Sequence, residues 1–300
     1  MKKIILANIL IIFVLLVTFE VFSYFKYKSD NKYLRYSIKK EKFENKFKSD
    51  FKRDIRKPVG LEYKKKPILF LGCSYAYGHK LKEEQTISYQ IFKKAKRPVY
   101  NWSHPAWGIQ HAYYTVQNMP KIKPEPEYIF YIFIGDHLRR MFVNGHKLDY
   151  VENLQYKFKN GKLEKIDNTI NLFDNVYFLY EIKNFFIMKV KFYKNYVFSE
   201  KSEKLFKDYV NTLKNEIKQI YPDSKFVFLL YDWNGYPYFP GKNIKDLEQE
   251  DIKVINLKEL CNVDFSEDKY KLSKESDSFR HPNELAWNRV SDALIKEFDL

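Results

Sequence analysis

Four short stretches of this sequence carry side chains that could act together in acyl transfer. That chemistry needs a hydroxyl nucleophile, an imidazole base, a carboxylate that orients the imidazole, and N–H donors for the oxyanion. The hydroxyl is Ser74, and residues 277–281 contain an aspartate and a histidine. Two turns, at 101–108 and 135–137, add glycines and polar side chains. A lone serine after a strand is usually a turn or cap residue, so the combination carries the prediction.

Three of these stretches follow strands of a predicted α/β domain, and the fourth, 277–281, precedes its last helix. After Pro67, apolar strands alternate with amphipathic helices, which is typical of a mostly parallel sheet covered on both faces. The pattern predicts five strands, at 67–71, 98–101, 128–134, 225–231 and 252–257, and helices at 83–96, 109–119, 201–221 and 282–298. Ligands bind beyond the carboxyl ends of such strands, so the four stretches are expected to meet at one edge of the sheet.

Residues 138–200 interrupt the alternation of strands and helices. This stretch predicts an insertion made of one hairpin around Asn160-Gly161 and an aromatic-rich helix.

The N-terminal segment predicts a membrane anchor. From Ile4 to Phe25 the chain is almost continuously apolar, and about 22 helical residues span roughly 33 Å, enough for a bilayer core. No small-x-small cleavage site follows, which favours an uncleaved anchor over a secretory signal. The predicted organisation is a transmembrane anchor at 1–25, a basic connector at 26–66 and an α/β domain at 67–300.

The net charge of +15 is unevenly distributed. Residues 26–66 hold sixteen basic and six acidic side chains, which leaves a net charge of only +4 for residues 67–300. A basic segment beside an apolar one fits contact with anionic lipid headgroups better than a groove for nucleic acid. We therefore expect a membrane partner and no nucleic acid.

The sequence contains no pattern that predicts a disulfide framework, a metal site or a cofactor site. Cys73 and Cys261 could form at most one disulfide. The histidines lack the spacing of a metal set, and the sequence has neither a phosphate-binding loop nor a dinucleotide fingerprint, so no metal or cofactor is expected. Cys73 is expected to point into the sheet if Ser74 faces solvent.

The turns resemble the sequence blocks of the SGNH (GDSL-type) hydrolase superfamily. The matches, in chain order, are Gly72-Cys73-Ser74 for Gly-Asp-Ser, Gly108 for the second-block glycine, Gly135-Asp136-His137 for Gly-x-Asn, and Asp277 with His281 for Asp-x-x-His. The resemblance covers residues 67–300 apart from the insertion. It implies a three-layer α/β/α domain with a flavodoxin-like strand order.

The resemblance also implies the roles of individual residues. Ser74 is the expected nucleophile, His281 the general base and Asp277 the orienting carboxylate. The expected oxyanion donors are the backbone N–H groups of Ser74 and Gly108 and the ring of His137, which replaces the family's asparagine. The interval from Asp277 to His281 is one residue longer than usual, so Glu275 is an alternative partner for the imidazole.

Substrate and location follow from the same resemblance. Anchored members of the superfamily resemble proteins that add or remove acetyl groups on envelope polysaccharides, which implies a carbohydrate ester and an extracytoplasmic domain. The basic residues after the apolar segment predict the opposite orientation. Trp107 is a candidate carbohydrate contact and Arg139 a candidate anion contact, with core packing and a surface salt bridge as the alternatives.

Two other functions stay open on the sequence. One is a catalytically inactive carbohydrate-binding or assembly protein on the same fold, in which Ser74 has no role. The other is an intracellular esterase held on a lipid surface by the basic connector.

Overall fold

The structure, a computed structural model, describes most of the α/β domain and little of the N-terminal region. The described residues are 14, 15, 18, 55–105, 107–140, 156–159, 162–165, 200–231, 252–272 and 281–300. Apart from residues 14, 15 and 18, all of them belong to one compact unit formed by Asp54–Ile166 and Val197–Leu300.

Strands and helices alternate along this unit. The strands are β1 Arg56–Val59, β2 Ile68–Gly72, β3 Val99–Ser103, β4 Tyr128–Phe133, β5 Tyr156–Lys159, β6 Lys162–Lys165, β7 Lys225–Leu230 and β8 Lys253–Asn256. The helices are α1 Ser74–Tyr77, α2 Ile87–Ala95, α3 Ile109–Asn118, α4 Asp136–Arg140, α5 Glu200–Ile220, α6 Leu257–Cys261 and α7 Glu284–Phe298. Short 3-10 turns occur at Glu83–Gln85 and Asp268–Tyr270.

The main sheet has six strands in the order β1-β3-β2-β4-β7-β8. All neighbouring pairs are parallel except β1 with β3. The five parallel strands, numbered among themselves in chain order, lie as 2-1-3-4-5, which is the flavodoxin-like order. The predicted strand order is therefore confirmed, and the predicted count of five strands is wrong by one.

The additional strand, β1, lies within the stretch predicted as a basic connector. It reads Arg56-Lys57-Pro58-Val59, and its two middle residues are exposed. Proline and charged side chains are tolerated at a sheet edge, where one side of the backbone faces water. The same residues hide the strand from a hydrophobicity pattern, so the domain begins about ten residues earlier than predicted.

Helices cover both faces of the sheet. On one face α2 packs against α7, and their apolar side chains join Ile68 and Phe70 of β2 in one core. On the other face α3 packs against α5, where Phe206 contacts Phe133 and Phe228. Every residue of β2 and β4 is buried, as expected for strands covered on both sides.

The hairpin predicted in the insertion is confirmed. β5 and β6 pair antiparallel, with Tyr156 opposite Lys165. The aromatic-rich helix predicted in the same insertion lies outside the described residues.

The predicted anchor, residues 1–25, also lies outside the described residues except at 14, 15 and 18. Among the residues that the structure describes, no helix is long and apolar enough to cross a bilayer.

Candidate active site

The candidate residues gather at the point where the strand order reverses. β2 lies between β3 and β4, so the chain leaves β2 toward one side of the sheet and later returns on the other. A crevice forms at such a switch point beyond the carboxyl ends of the two strands. Ser74 lies two residues after the end of β2, and His137 lies four residues after the end of β4.

The turn that carries Ser74 depends on Gly72. This glycine has a φ of 149°, and a Cβ there would lie 2.9 Å from the carbonyl oxygen of Ile132 on β4. Glycine is the residue that tolerates both this dihedral and this close approach. Cys73 is extended, and α1 then begins at Ser74, which is 6% exposed.

His281 lies within hydrogen-bonding distance of Ser74. Its Nε2 is 2.9 Å from the Ser74 Oγ. The histidine is held by the entry to α7, because its carbonyl accepts from the Leu272 N–H and Asn283 caps the helix at Ala286. The structure thus brings together two residues that are 207 positions apart.

The predicted partner of His281 lies outside the described residues. Asp277 and the alternative Glu275 both fall in the stretch 273–280, which the structure does not describe. The orienting role of Asp277 therefore stays a prediction. Arg139 lies in α4, but its side chain is also outside the described part, so its role in anion binding is untested.

The N–H of Gly108 is engaged differently from the prediction. It donates to Nδ1 of His111, 3.0 Å away, at the start of α3. The carbonyl of the same peptide, that of Trp107, accepts from Nη1 of Arg140 at 2.6 Å. Both ends of the peptide group are held, so the predicted oxyanion donor already has an acceptor.

His111 is a neutral imidazole of defined tautomer. Burial, reinforced by the charge of Arg140, lowers the pKa of His111 to about 3. Because Nδ1 accepts from Gly108, the ring proton lies on Nε2. That Nε2 is buried and has no hydrogen-bond partner in the described part of the chain. The i, i+3 spacing of Gly108 and His111 at a helix start was the sequence signal for this contact.

His137 is also neutral and fully buried. Burial, followed by the charge of Arg140, holds the pKa of His137 well below its usual range. Its Nδ1 lies 2.8 Å from the hydroxyl of Tyr131, and its Nε2 has no hydrogen-bond partner among the residues that the structure describes. If the tyrosine donates, the imidazole proton is on Nε2, which is the tautomer that an oxyanion donor needs.

A buried ion pair connects the turn that contains Gly108 with the turn that contains His137. Arg140 contacts the Asp136 carboxylate at 2.7 Å within α4 while it binds the Trp107 carbonyl. Gln110 of α3 in turn donates to the carbonyl of Arg140 at 2.8 Å. Arg140, the neighbour of the candidate anion contact Arg139, thus makes a salt bridge.

The prediction that Trp107 contacts carbohydrate is not supported. Its side chain is 1% exposed and stacks on His111 with the two rings 9° from parallel. A buried indole cannot offer its face to a sugar, so the packing alternative holds for Trp107.

Cys73 is buried beneath the nucleophile turn, as predicted. It is fully inaccessible, and burial raises the pKa of its thiol. A neutral, buried thiol is a poor nucleophile. Among the described residues, no three histidine, cysteine, aspartate or glutamate side chains are grouped as a metal site would require.

Comparison with known proteins gives structural neighbours and no sequence relatives. No protein-family model matches the chain, and no curated protein matches its sequence. A member of the lipolytic protein G-D-S-L family from Veillonella parvula is 10% identical, with a TM-score of 0.43, and the match covers 78% of this chain and 99% of that one.

Two further structures extend this comparison to other esterases. A lipase from a goat rumen metagenome has 13% identity and a TM-score of 0.47, with 78% of this chain and 98% of that chain covered. An acetyl xylan esterase from Butyrivibrio proteoclasticus has 9% identity and a TM-score of 0.41, and the match covers 77% of this chain and 63% of that chain.

Proposed function

We propose that this chain is a serine-dependent esterase or O-acyltransferase that works through an acyl-enzyme at Ser74. The observation that carries the proposal is the 2.9 Å contact between the His281 Nε2 and the Ser74 Oγ at the switch point of the sheet. A nucleophile needs a base within this distance to lose its proton as it attacks.

The proposed reaction has two halves. In the first, the Ser74 oxygen attacks the ester carbonyl while His281 takes its proton, and the resulting tetrahedral oxyanion collapses with loss of the alcohol, which receives that proton. In the second, water or a sugar hydroxyl attacks the acyl-serine, again with His281 as base. The acyl group leaves as a free acid or as a new ester, and Ser74 regains its proton.

The oxyanion is proposed to bind the backbone N–H of Ser74 and the Nε2 proton of His137. Ser74 is the first residue of α1, so its N–H has no acceptor within that helix. His137 has a neutral ring whose Nε2 has no hydrogen-bond partner among the described residues. The Gly108 N–H could contribute only if its hydrogen bond to His111 were broken or shared.

The substrate proposed is an acetyl ester of an envelope carbohydrate, reached by a domain held outside the cytoplasm by residues 1–25. This proposal rests on the family resemblance and on the apolar N-terminal segment. It is tested by fusing alkaline phosphatase after Leu300, because that reporter is active only outside the cytoplasm. An inactive fusion in the membrane fraction would favour the intracellular lipid-surface esterase instead.

The activity is tested by hydrolysis of a chromogenic acetyl ester and by labelling of Ser74 with a fluorophosphonate. Replacement of Ser74 by alanine or of His281 by glutamine is expected to lower kcat by about 10³-fold or more. Cys73→Ala is the matched control, because it removes the thiol next to Ser74 and is expected to keep both activity and labelling.

One observation favours a second function, an inactive carbohydrate-binding protein. The N–H predicted to stabilise the oxyanion is already bonded to His111. A folded wild-type chain that neither hydrolyses the ester nor reacts with the fluorophosphonate would support this function and refute the enzymatic one. Labelling without hydrolysis would point to an acyltransferase that requires its own acceptor.

A further inference from the structure

The C-terminal end of α1 and the loop after it present several backbone carbonyls to two side chains outside that segment. A helix of four residues leaves its last carbonyls without helical partners. The Ala76 carbonyl accepts from Nδ2 of Asn101 on β3 at 2.8 Å. The carbonyls of Tyr77, Gly78 and Leu81 all accept from Arg56 on β1, at 2.5, 2.9 and 3.0 Å.

Arg56 makes two further contacts with the same loop. Its Nη1 lies 2.6 Å from the Glu83 carboxylate, and its guanidinium lies 4.6 Å from the centre of the Tyr77 ring. The side chain is only 12% exposed. A planar guanidinium can meet all of these acceptors at once, whereas the single ammonium of a lysine cannot.

The loop held by Arg56 is connected to both candidate catalytic groups. The N–H of His79 donates to the carbonyl of Ser74 at 2.9 Å. The ring of His79 lies 5.1 Å from that of His281, centre to centre. A shift of this loop would therefore be transmitted to the nucleophile and to the base.

We propose that Arg56 and Asn101 are positioning residues that keep the Ser74 hydroxyl in register with His281. The two residues are paired across β1 and β3, so together they form one clamp at the catalytic edge of the sheet. The role in catalysis rests on the proposed function, whereas the clamp itself consists of the hydrogen bonds described above and does not depend on that function. Misplacing reacting groups by about 1 Å can cost about 10²-fold in rate.

The chain contains a matched control for Arg56 at the other end of the parallel strands, where their amino ends lie. Arg97 is 4% exposed, donates twice to the Lys66 carbonyl and pairs with Glu127 at 2.5 Å. These three residues precede β3, β2 and β4. Arg97 is thus a buried arginine with similar partners, and none of its described hydrogen bonds or ion pairs involves the nucleophile turn.

The test compares Arg56→Lys with Arg97→Lys in the full-length chain. Both variants are expected to lose a few degrees in Tm, whereas only Arg56→Lys is expected to lower kcat, by about 10- to 100-fold, with little change in KM. The rate of fluorophosphonate labelling of Ser74 should fall with kcat. If the two variants kept equal kcat values, or if Arg56→Lys raised KM alone, the catalytic role would be refuted.

Hydrogen exchange measured by mass spectrometry tests the clamp even if the protein shows no esterase activity. Exchange in peptides covering residues 74–83 is expected to speed up in Arg56→Lys and to stay unchanged in Arg97→Lys. Unchanged exchange in Arg56→Lys would overturn the clamp itself. A wild-type chain with no hydrolysis and no labelling would instead refute the proposed function, and the exchange result would still decide the clamp. If Arg56→Lys does not fold, Asn101→Ala replaces it in the test, because this variant loses fewer contacts. It is expected to show the same lower kcat and the same faster exchange at residues 74–83.

Discussion

At the residue scale, the unusual group in this site is His137, an imidazole where the resembled family has an amide. An amide nitrogen always donates, whereas a neutral imidazole donates from Nε2 only in one of its two tautomers. The Tyr131 hydroxyl next to Nδ1 selects that tautomer if it acts as the donor. Burial raises the pKa of Tyr131 well above its ordinary value, so its proton stays available for donation.

Tyr131→Phe is therefore expected to lower kcat by about tenfold with little change in KM. The variant leaves the Nδ1 of His137 without its donor, so the tautomer with Nε2 as acceptor becomes populated and fewer molecules can stabilise the oxyanion. Steady-state hydrolysis of the acetyl ester measures this. Tyr128→Phe is the control, because it removes a hydroxyl at the other end of β4. Equal kcat values in the wild type and Tyr131→Phe would remove His137 from the proposed oxyanion site.

At the element scale, the short helices α1, α4 and α6 were not predicted, whereas the parallel strands and the longer helices were predictable within a few residues. Their apolar patterns are strong because β2 and β4 are buried on both faces. The exception is β1, whose charges and proline suit an exposed edge. Its importance comes from pairing with β3 and from the reach of Arg56 across to the loop after α1.

A fragment that begins at residue 60 is expected to be less stable than one that begins at residue 54. The shorter fragment loses β1, exposes the backbone edge of β3 and removes all the contacts of Arg56. Thermal unfolding of the two fragments, followed by circular dichroism, should differ by several degrees in Tm, and the shorter fragment should have the lower kcat. Indistinguishable Tm values would mean that β1 adds no stability to the sheet.

At the scale of the whole molecule, two buried neutral histidines tie stability to pH. The pKa of His111 is lowered to about 3 and that of His137 lies well below its usual range, against about 6.5 in an unfolded chain. Between these limits the unfolded state binds more protons than the folded state. The free energy of unfolding therefore falls as the pH decreases from about 6.5 toward the pKa values of the two histidines in the folded state.

The free energy of unfolding is accordingly expected to fall between pH 7 and pH 5, and to fall less steeply in His111→Gln. Each buried histidine contributes a slope of up to about 1.4 kcal/mol per pH unit. Glutamine keeps an acceptor for the Gly108 N–H without a titrating group. Urea unfolding at several pH values measures the slope, with His104→Gln, at a half-buried position, as the control. Parallel curves for the wild type and His111→Gln would contradict the lowered pKa.

The sequence by itself determined the class of the fold, the order of the parallel strands and the pairing of Ser74 with His281. The fold class follows from local patterns, because apolar runs specify buried strands. The strand order and the pairing of Ser74 with His281 were implied by the resemblance of the turns to the SGNH (GDSL-type) sequence blocks. The burial of Cys73 could be predicted from a local pattern, since side chains alternate along an extended chain.

The tertiary structure alone decided which polar atoms around Ser74 are occupied. The burial of Trp107 and the link from Arg140 to the Trp107 carbonyl depend on how α3 and α4 pack beside each other. The contacts of Arg56 depend on an edge strand without an apolar pattern. Hydrogen bonds between separate elements require distances and directions that exist only once the chain is folded, so residue types and spacing alone could not predict them.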